Sequence, residues 1–451
     1  MRVFLWKTKM KVFKFGGTSV GSAERISGLI DLLRNGERKM VVLSAMAGTT
    51  NSLVEISANI RAGNPAKTRV LIAGMRKQYH KVADELFREE KFRRAGREMT
   101  DSHFDYIEKF ETEGFGDSDE KKIIARGELI STALFHMHLQ ESGVASALVP
   151  ALNFMRIDKD GEPDYFYISQ NLEREMRGCA DAEIIITQGF ICRNVAGEVD
   201  NLRRGGSDYT ASIIAAALGA SEVQIWTDIS GFHNNDPRFV EGTSVIRELS
   251  FAEAAELAYF GAKILHPSTI NPAREKRIPV VLKNTMEPDD KGTLISDTTR
   301  LEDYKAIAAK DDITVIRISS DRMLNSYGFM SRVYEVFEYY KTSIDMIATS
   351  EVSVSITIDN SSKLDEIVAD LRRLGSVEVE SKQTIVCVVG DFRTDRAGSA
   401  PEIFEALNNI PVKMISYGAS PISLSLLIDG RHKADALRSL HSHLFPLKNA
   451  N

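Results

Sequence analysis

Cysteine is scarce in this chain: Cys179, Cys192 and Cys387 are the three in 451 residues. Cys192 and Cys387 sit inside the apolar runs GFICRN and TIVCVVG, where a thiol serves as a small buried hydrophobe. No Cys/His spacing suggests a disulfide framework or a metal site, so we expect no protein metal site and a reducing, cytoplasmic setting. Long apolar runs are missing as well, and none approaches the ~20 residues of a membrane span. The N-terminal MRVFLWKTK is too short for a signal-peptide core. Met10 stands just before the first β-rich run, which leaves the true start open between Met1 and Met10. Neither sign of charge dominates: 57 Lys and Arg against 63 Asp and Glu leave a net charge of -6. Nucleic acid and anionic membrane are therefore not expected partners. No G-x-G-x-x-G follows a strand, and no Ser-His-Asp order is evident.

The chain does have a steady alternation of short β-rich runs and long helical patterns over residues 1–300. KVFKFG, KMVVLSA, AEIIITQGF, EVQIWTD and IPVVLKN read as buried strands, and SAERISGLIDLLRNG and SDYTASIIAAALGAS as capped helices. That alternation implies an α/β fold with a doubly wound, mostly parallel sheet, whose ligands bind at the carboxyl ends of the strands. Beyond it a weak repeat pairs EVSVSITID with PISLSLLID. The first copy, residues 311–382, has the β-α-β-β-α-β order of a ferredoxin-like unit. The second, residues 383–451, lacks a final strand. We expect YKAIAAK, within residues 301–310, to complete it, so that the first unit is inserted in the second.

KVFKFGGTSVGS places Lys14 ahead of Gly16 and Gly17, the reverse of the phosphate-loop order. Glycines between a strand and a helix capped by Ser22 still allow backbone amides to approach an anion, and Lys14 at the strand end can share that cleft. A plain βα turn with a solvated lysine fits the same spacing. RRGGSDYTA brings Arg204, Ser207 and Asp208 to another helix start, where Arg204 suits a carboxylate and Asp208 suits either the helix dipole or Lys14. ARGELIST puts Glu128 at a helix start, as a dipole partner or a seat for a substrate ammonium. WTDISGFHNNDPRF offers Asp228 and Arg238, and FGAKILHP offers Lys263, each fitting a surface role or a nucleotide. Cations and glycines on separate strand ends suit phosphoryl transfer, which needs positioning and charge neutralisation.

Together KFGGTSV, LSAMAGTTN, ARGELIST, ITQGF, RRGGSDYTA, WTDISG, NDPR and FGAKILHP resemble the aspartokinases of the amino acid kinase family, and the C-terminal repeats resemble that family's two ACT domains. The resemblance implies transfer of the ATP γ-phosphoryl group to the side-chain carboxylate of L-aspartate, as the first step toward the aspartate-derived amino acids. It implies that Lys14, Gly16 and Gly17 cradle the phosphate and that Asp208 organises Lys14. Ser44, Thr50 and Ser207 would line the aspartate pocket, with Glu128 on the amino group and Arg204 on the α-carboxylate. Thr227, Asp228, Arg238 and Lys263 would face the nucleotide, with Mg2+ held through the phosphates. His233 replaces a tyrosine usual in the family, which puts nucleotide preference in doubt. Met46 replaces a serine and receives no role.

The first repeat resembles the lysine-sensitive type. NSYGFMSRVYEVF and SIDMIATSEVS imply that L-lysine is held by Ser326, Gly328, Phe329, Asp345, Thr349 and Ser350 across a homodimer interface, in a dimer or a dimer of dimers. An ordinary βα turn with a solvated aspartate fits the same stretch. Two further readings stay open: an amino acid kinase for another acceptor, and a ligand-binding sensor with a dead kinase site.

Overall fold

The computed structural model describes residues 10–116, 118–202, 205–261, 264–297, 302–320, 323, 327–393 and 399–446. The chain divides into two compact units, Met1–Gly231 with Leu265–Asp297, and Phe232–Ile264 with Thr298–Asn451.

In the first unit, strands Ser146–Leu148, Ile184–Gln188, Lys39–Leu43, Lys11–Phe15, Glu222–Thr227 and Val280–Asn284 lie in that order, all parallel. Thr293–Ser296 adds antiparallel to the last of them. The central strands are apolar almost throughout because helices cover both faces, which hides alternation. Helix Ala23–Leu33 turns Ile26, Leu29, Ile30 and Leu33 into the core at i, i+3, i+4, i+7 spacing. Its start is set by Ser22, whose Oγ accepts the Arg25 amide at 3.3 Å. The doubly wound reading therefore holds, with Lys14 opposite Val42 on one side and Ile225 on the other.

The second unit is built on a six-stranded antiparallel sheet in the order Ile347–Thr349, Ser353–Ile358, Tyr304–Ser319, Ser376–Gly390, Ser423–Asp429, Val412–Ser416. The ferredoxin-like units share this sheet. YKAIAAK and ITVIRIS run on as a single strand, and so do SVEVES and TIVCVVG. Both joins are marked by non-glycine residues at positive φ, Asp312 at 61° and Lys382 at 58°, and the pairing register slips beside Asp312. Tyr304–Lys310 pairs with Ile385–Gly390, while Thr314–Ser319 pairs with Ser353–Ile358. Each half has its own core, around Val388, Leu424, Leu426 and Leu437 in one and Ile316, Val333, Ile356 and Ile367 in the other. Helix Phe251–Tyr259 belongs to this unit and opens with a capping box between Ser250 and Glu253.

Candidate active site

The carboxyl ends of the parallel strands in the first unit surround a cavity of about 330 Å3. Lys14, Gly17, Ser44, Thr50, Glu128, Ser207 and Asp208 all reach its wall. Lys14 comes from the end of its strand, and Asp208 from the first turn of helix Gly206–Leu218. The Lys14 Nζ lies 2.7 Å from Asp208 Oδ1, with the two side chains only 11% and 13% exposed. In such a setting water screens the pair weakly, and each charge fixes the other's position.

The glycines here provide space. A Cβ on Gly17 would stand 2.8 Å from Ala45 O, so only glycine lets this turn pass beside the Ala45–Ala47 loop. The Gly16 amide donates to Trp226 O at 3.2 Å, which ties the turn to the next strand. A Cβ on Gly189 would meet Ser207 at 2.6 Å, and one on Gly206 would meet Phe190 at 2.5 Å. The ITQGF and GGSD turns thus interlock through their glycines. Phe190, which the sequence reading quoted without a role, holds a left-handed φ of 67° and lines the cavity.

Glu128 is in the first turn of helix Arg126–Glu141 and is almost fully buried. Its Oε1 accepts the Ala45 amide at 3.3 Å, and its Oε2 has no protein partner. Burial pushes its carboxyl up to about 8, against which the Ala45 amide acts only weakly. Two supports escaped the sequence reading. Ser131 donates to Ser44 O at 2.8 Å, joining the pocket loop to the glutamate helix. Gln188 donates to Thr132 Oγ1 and accepts the Ala151 amide, each at 2.8 Å, in a buried network beneath Glu128.

The remaining candidates lie elsewhere. Thr227 ends strand Glu222–Thr227 and Asp228 follows it, and Thr227 Oγ1 donates to Asp228 Oδ1 at 3.1 Å. His233 and Arg238 belong to the second unit. His233 Nδ1 is 3.1 Å from Thr243 Oγ1, and burial lowers its pKa. Arg238 forks onto Asp236 at 2.7 Å. The neighbouring Asn234 and Asn235 have structural bonds, accepting the Ser244 amide and donating to Leu437 O. Of the expected effector residues, Gly328 caps helix Phe329–Tyr339 at φ 76°, Phe329 is in the core, Thr349 ends a short strand, and Ser350 bonds Ser353 at 2.7 Å. Arg204, Lys263 and Ser326 lie outside the described residues. Among the described residues, no three His, Cys, Asp or Glu side chains gather to hold a metal, and no helix is long and apolar enough to cross a membrane.

A doubly wound sheet that brings a buried lysine–aspartate pair and glycine turns to one cavity defines a phosphotransferase for small molecules. Residues 9–284 match the amino acid kinase family and residues 386–444 an ACT domain. The chain is 33% identical to lysine-sensitive aspartokinase 3 of Escherichia coli, over 97% of this chain and 100% of that protein. It is 32% identical to chloroplastic aspartokinase 2 of Arabidopsis thaliana, over 96% and 84%. Among solved structures it is similar to E. coli aspartokinase III with aspartate and ADP in the R-state, with a TM-score of 0.82, 33% identity and coverage of 97% and 100%. The T-state of that enzyme, with lysine and aspartate, gives a TM-score of 0.79 at the same identity, with coverage of 97% and 99%. The chain belongs to the amino acid kinase family, among its aspartokinases.

Proposed function

We propose that the cavity around Lys14 is where the γ-phosphoryl group of ATP passes to the side-chain carboxylate of L-aspartate, giving 4-phospho-L-aspartate. The observation that carries this is the 2.7 Å Lys14–Asp208 pair in the same cavity as the unpartnered Glu128 Oε2. Lys14 neutralises charge on the transferring group, and Asp208 keeps its ammonium in place. Glu128 receives the substrate ammonium, Arg204 its α-carboxylate, and Ser44, Thr50 and Ser207 complete the pocket. The acceptor carboxylate is ionised at neutral pH and needs no general base. Gly16 and Gly17 leave room for phosphate, while Thr227, Asp228, His233, Arg238 and Lys263 serve the nucleotide. The cavity wall carries two carboxylates, Asp208 already paired with Lys14 and Glu128 given to the substrate ammonium, so it suits Mg2+ carried on the phosphates and held by few protein groups.

The nested ACT arrangement, 311–382 within 301–310 and 383–451, is read from the strand pairing of Tyr304–Lys310 with Ile385–Gly390. On that reading L-lysine binds around Asp345 and Ser350 in the first unit, at a dimer interface, and lowers turnover in the cytoplasm. ADP release with L-aspartate and MgATP, with and without L-lysine, tests both parts. Release with other carboxylate acceptors but not with L-aspartate would move the enzyme elsewhere in the amino acid kinase family. No release with any of them would favour a sensor.

A further inference from the structure

Asp345, the carboxylate read above as the seat of the effector ammonium, already has an ammonium on it. Its side chain is fully covered, and its Oδ1 lies 2.8 Å from Lys310 Nζ. The same oxygen accepts the Tyr259 hydroxyl at 2.5 Å. Lys310 also lies 2.8 Å from Asp359 Oδ2 and 4.0 Å from the centre of the Tyr259 ring. Burial pulls the Lys310 pKa down, but Asp345 and Asp359 outweigh it, so the amine stays charged at neutral pH.

Tyr259 ends helix Phe251–Tyr259, which is fastened along the Tyr304–Ser319 strand at both ends. Near its start, Glu253 pairs with Lys305 at 2.9 Å, both side chains almost fully buried. Past its end, Gly261 at φ 125° packs so tightly that a Cβ would stand 2.1 Å from Ala309 O, next to Lys310. The Glu253 attachment is buried on both sides, with Lys305 and Glu253 at 2% and 4% exposure, whereas Lys310 at the other attachment is 16% exposed. Asp345 Oδ1 carries both Lys310 and Tyr259 and its Oδ2 is buried without a protein partner, so an effector cation reaches this covered carboxylate only by displacing the groups around it. Four residues beyond Tyr259 in the chain is Lys263, one of the proposed nucleotide cations.

We infer that Lys310 is a built-in occupant of the effector's carboxylate and that Tyr259 reports its displacement. A diamino acid effector brings its own ammonium to Asp345, Lys310 falls back to Asp359, and Tyr259 loses its acceptor. The helix, still pinned at Glu253, then shifts at the end that leads to Lys263. An internal competitor lowers apparent affinity by the fraction of time the seat is free, which sets the effector concentration at which the enzyme responds. This rests on the effector reading given above.

The test uses the full chain, with L-lysine as probe, by calorimetry and by inhibition of ADP release. Lys310→Met is expected to bind L-lysine roughly tenfold more tightly, with uninhibited turnover unchanged. Lys310→Gln, which can still hydrogen-bond Asp345, guards against misfolding and is expected to shift affinity the same way. Tyr259→Phe is expected to bind L-lysine at least as tightly yet be inhibited less. Unchanged or weaker binding in folded Lys310→Met and Lys310→Gln overturns the competition. Inhibition in Tyr259→Phe that tracks binding as in the unmodified protein overturns the reporting role. No L-lysine binding to the unmodified protein overturns the effector reading itself, and this inference with it.

Discussion

Lys14 Nζ and Asp208 Oδ1, 194 residues apart in sequence, meet at 2.7 Å at the ends of a strand and a helix. The contact makes Asp208 a positioning residue for the lysine. Asp208→Asn keeps the shape and removes the charge. It is expected to lower kcat by roughly 10²-fold, the scale for losing one preorganised electrostatic element, while the KM for aspartate moves little. Steady-state kinetics check this. A large rise in KM with kcat unchanged would place Asp208 on the substrate.

Glu128 gives a proton-linked prediction. Burial raises its carboxyl to about 8 from an ordinary 4.5, so near pH 7 it is mostly protonated. A substrate ammonium beside it favours the ionised form, so aspartate binding at pH 7 should release protons. Calorimetry in buffers of different ionisation enthalpy reads that release, and Glu128→Gln should abolish it while raising the KM for aspartate about 10- to 100-fold. The stability sign follows from the same shift. Between pH 4.5 and 8 the folded protein binds the extra proton, so this group's contribution falls as pH rises through that window. Absence of buffer dependence would mean that Glu128 is not the ammonium seat.

Two glycines separate site geometry from general stability. Gly17→Ala pushes a methyl to 2.8 Å from Ala45 O and should lower turnover by about 10²-fold or more. Gly28 has open space around its Cβ position, in helix Ala23–Leu33. Gly28→Ala should keep full activity and gain about 0.5–1 kcal/mol in stability. Denaturant melts and ADP assays on both check this, and equal activity in the two variants would refute the close-approach argument.

Asp345→Asn should lose L-lysine binding and leave uninhibited turnover unchanged, because Lys310 retains Asp359 as a partner. Inhibition curves with L-lysine, and with L-threonine as comparison, measure it. Lysine sensitivity unchanged from the unmodified protein would remove Asp345 from the effector site.

Much of the site was legible because each motif couples a residue to a turn. A lysine at a strand end, glycines after it and an acid in a helix's first turn must converge at one edge of a parallel sheet. Ser131 and Gln188 were not legible, since a hydroxyl and an amide act here through contacts between distant segments. The shared sheet of the C-terminal half was hidden for another reason. Asp312 and Lys382 carry positive φ without glycine, so the sequence reads as breaks where the strands run through. The Lys310–Asp345–Tyr259 contact joins three segments and has no local signature at all.

The central claim is that this cavity phosphorylates L-aspartate through Lys14. The most direct test is ADP release with MgATP and L-aspartate, by the unmodified protein and by folded Lys14→Ala. The account predicts aspartate-dependent release that falls by roughly 10³-fold in the variant. Release independent of aspartate, or retained in Lys14→Ala, would contradict it.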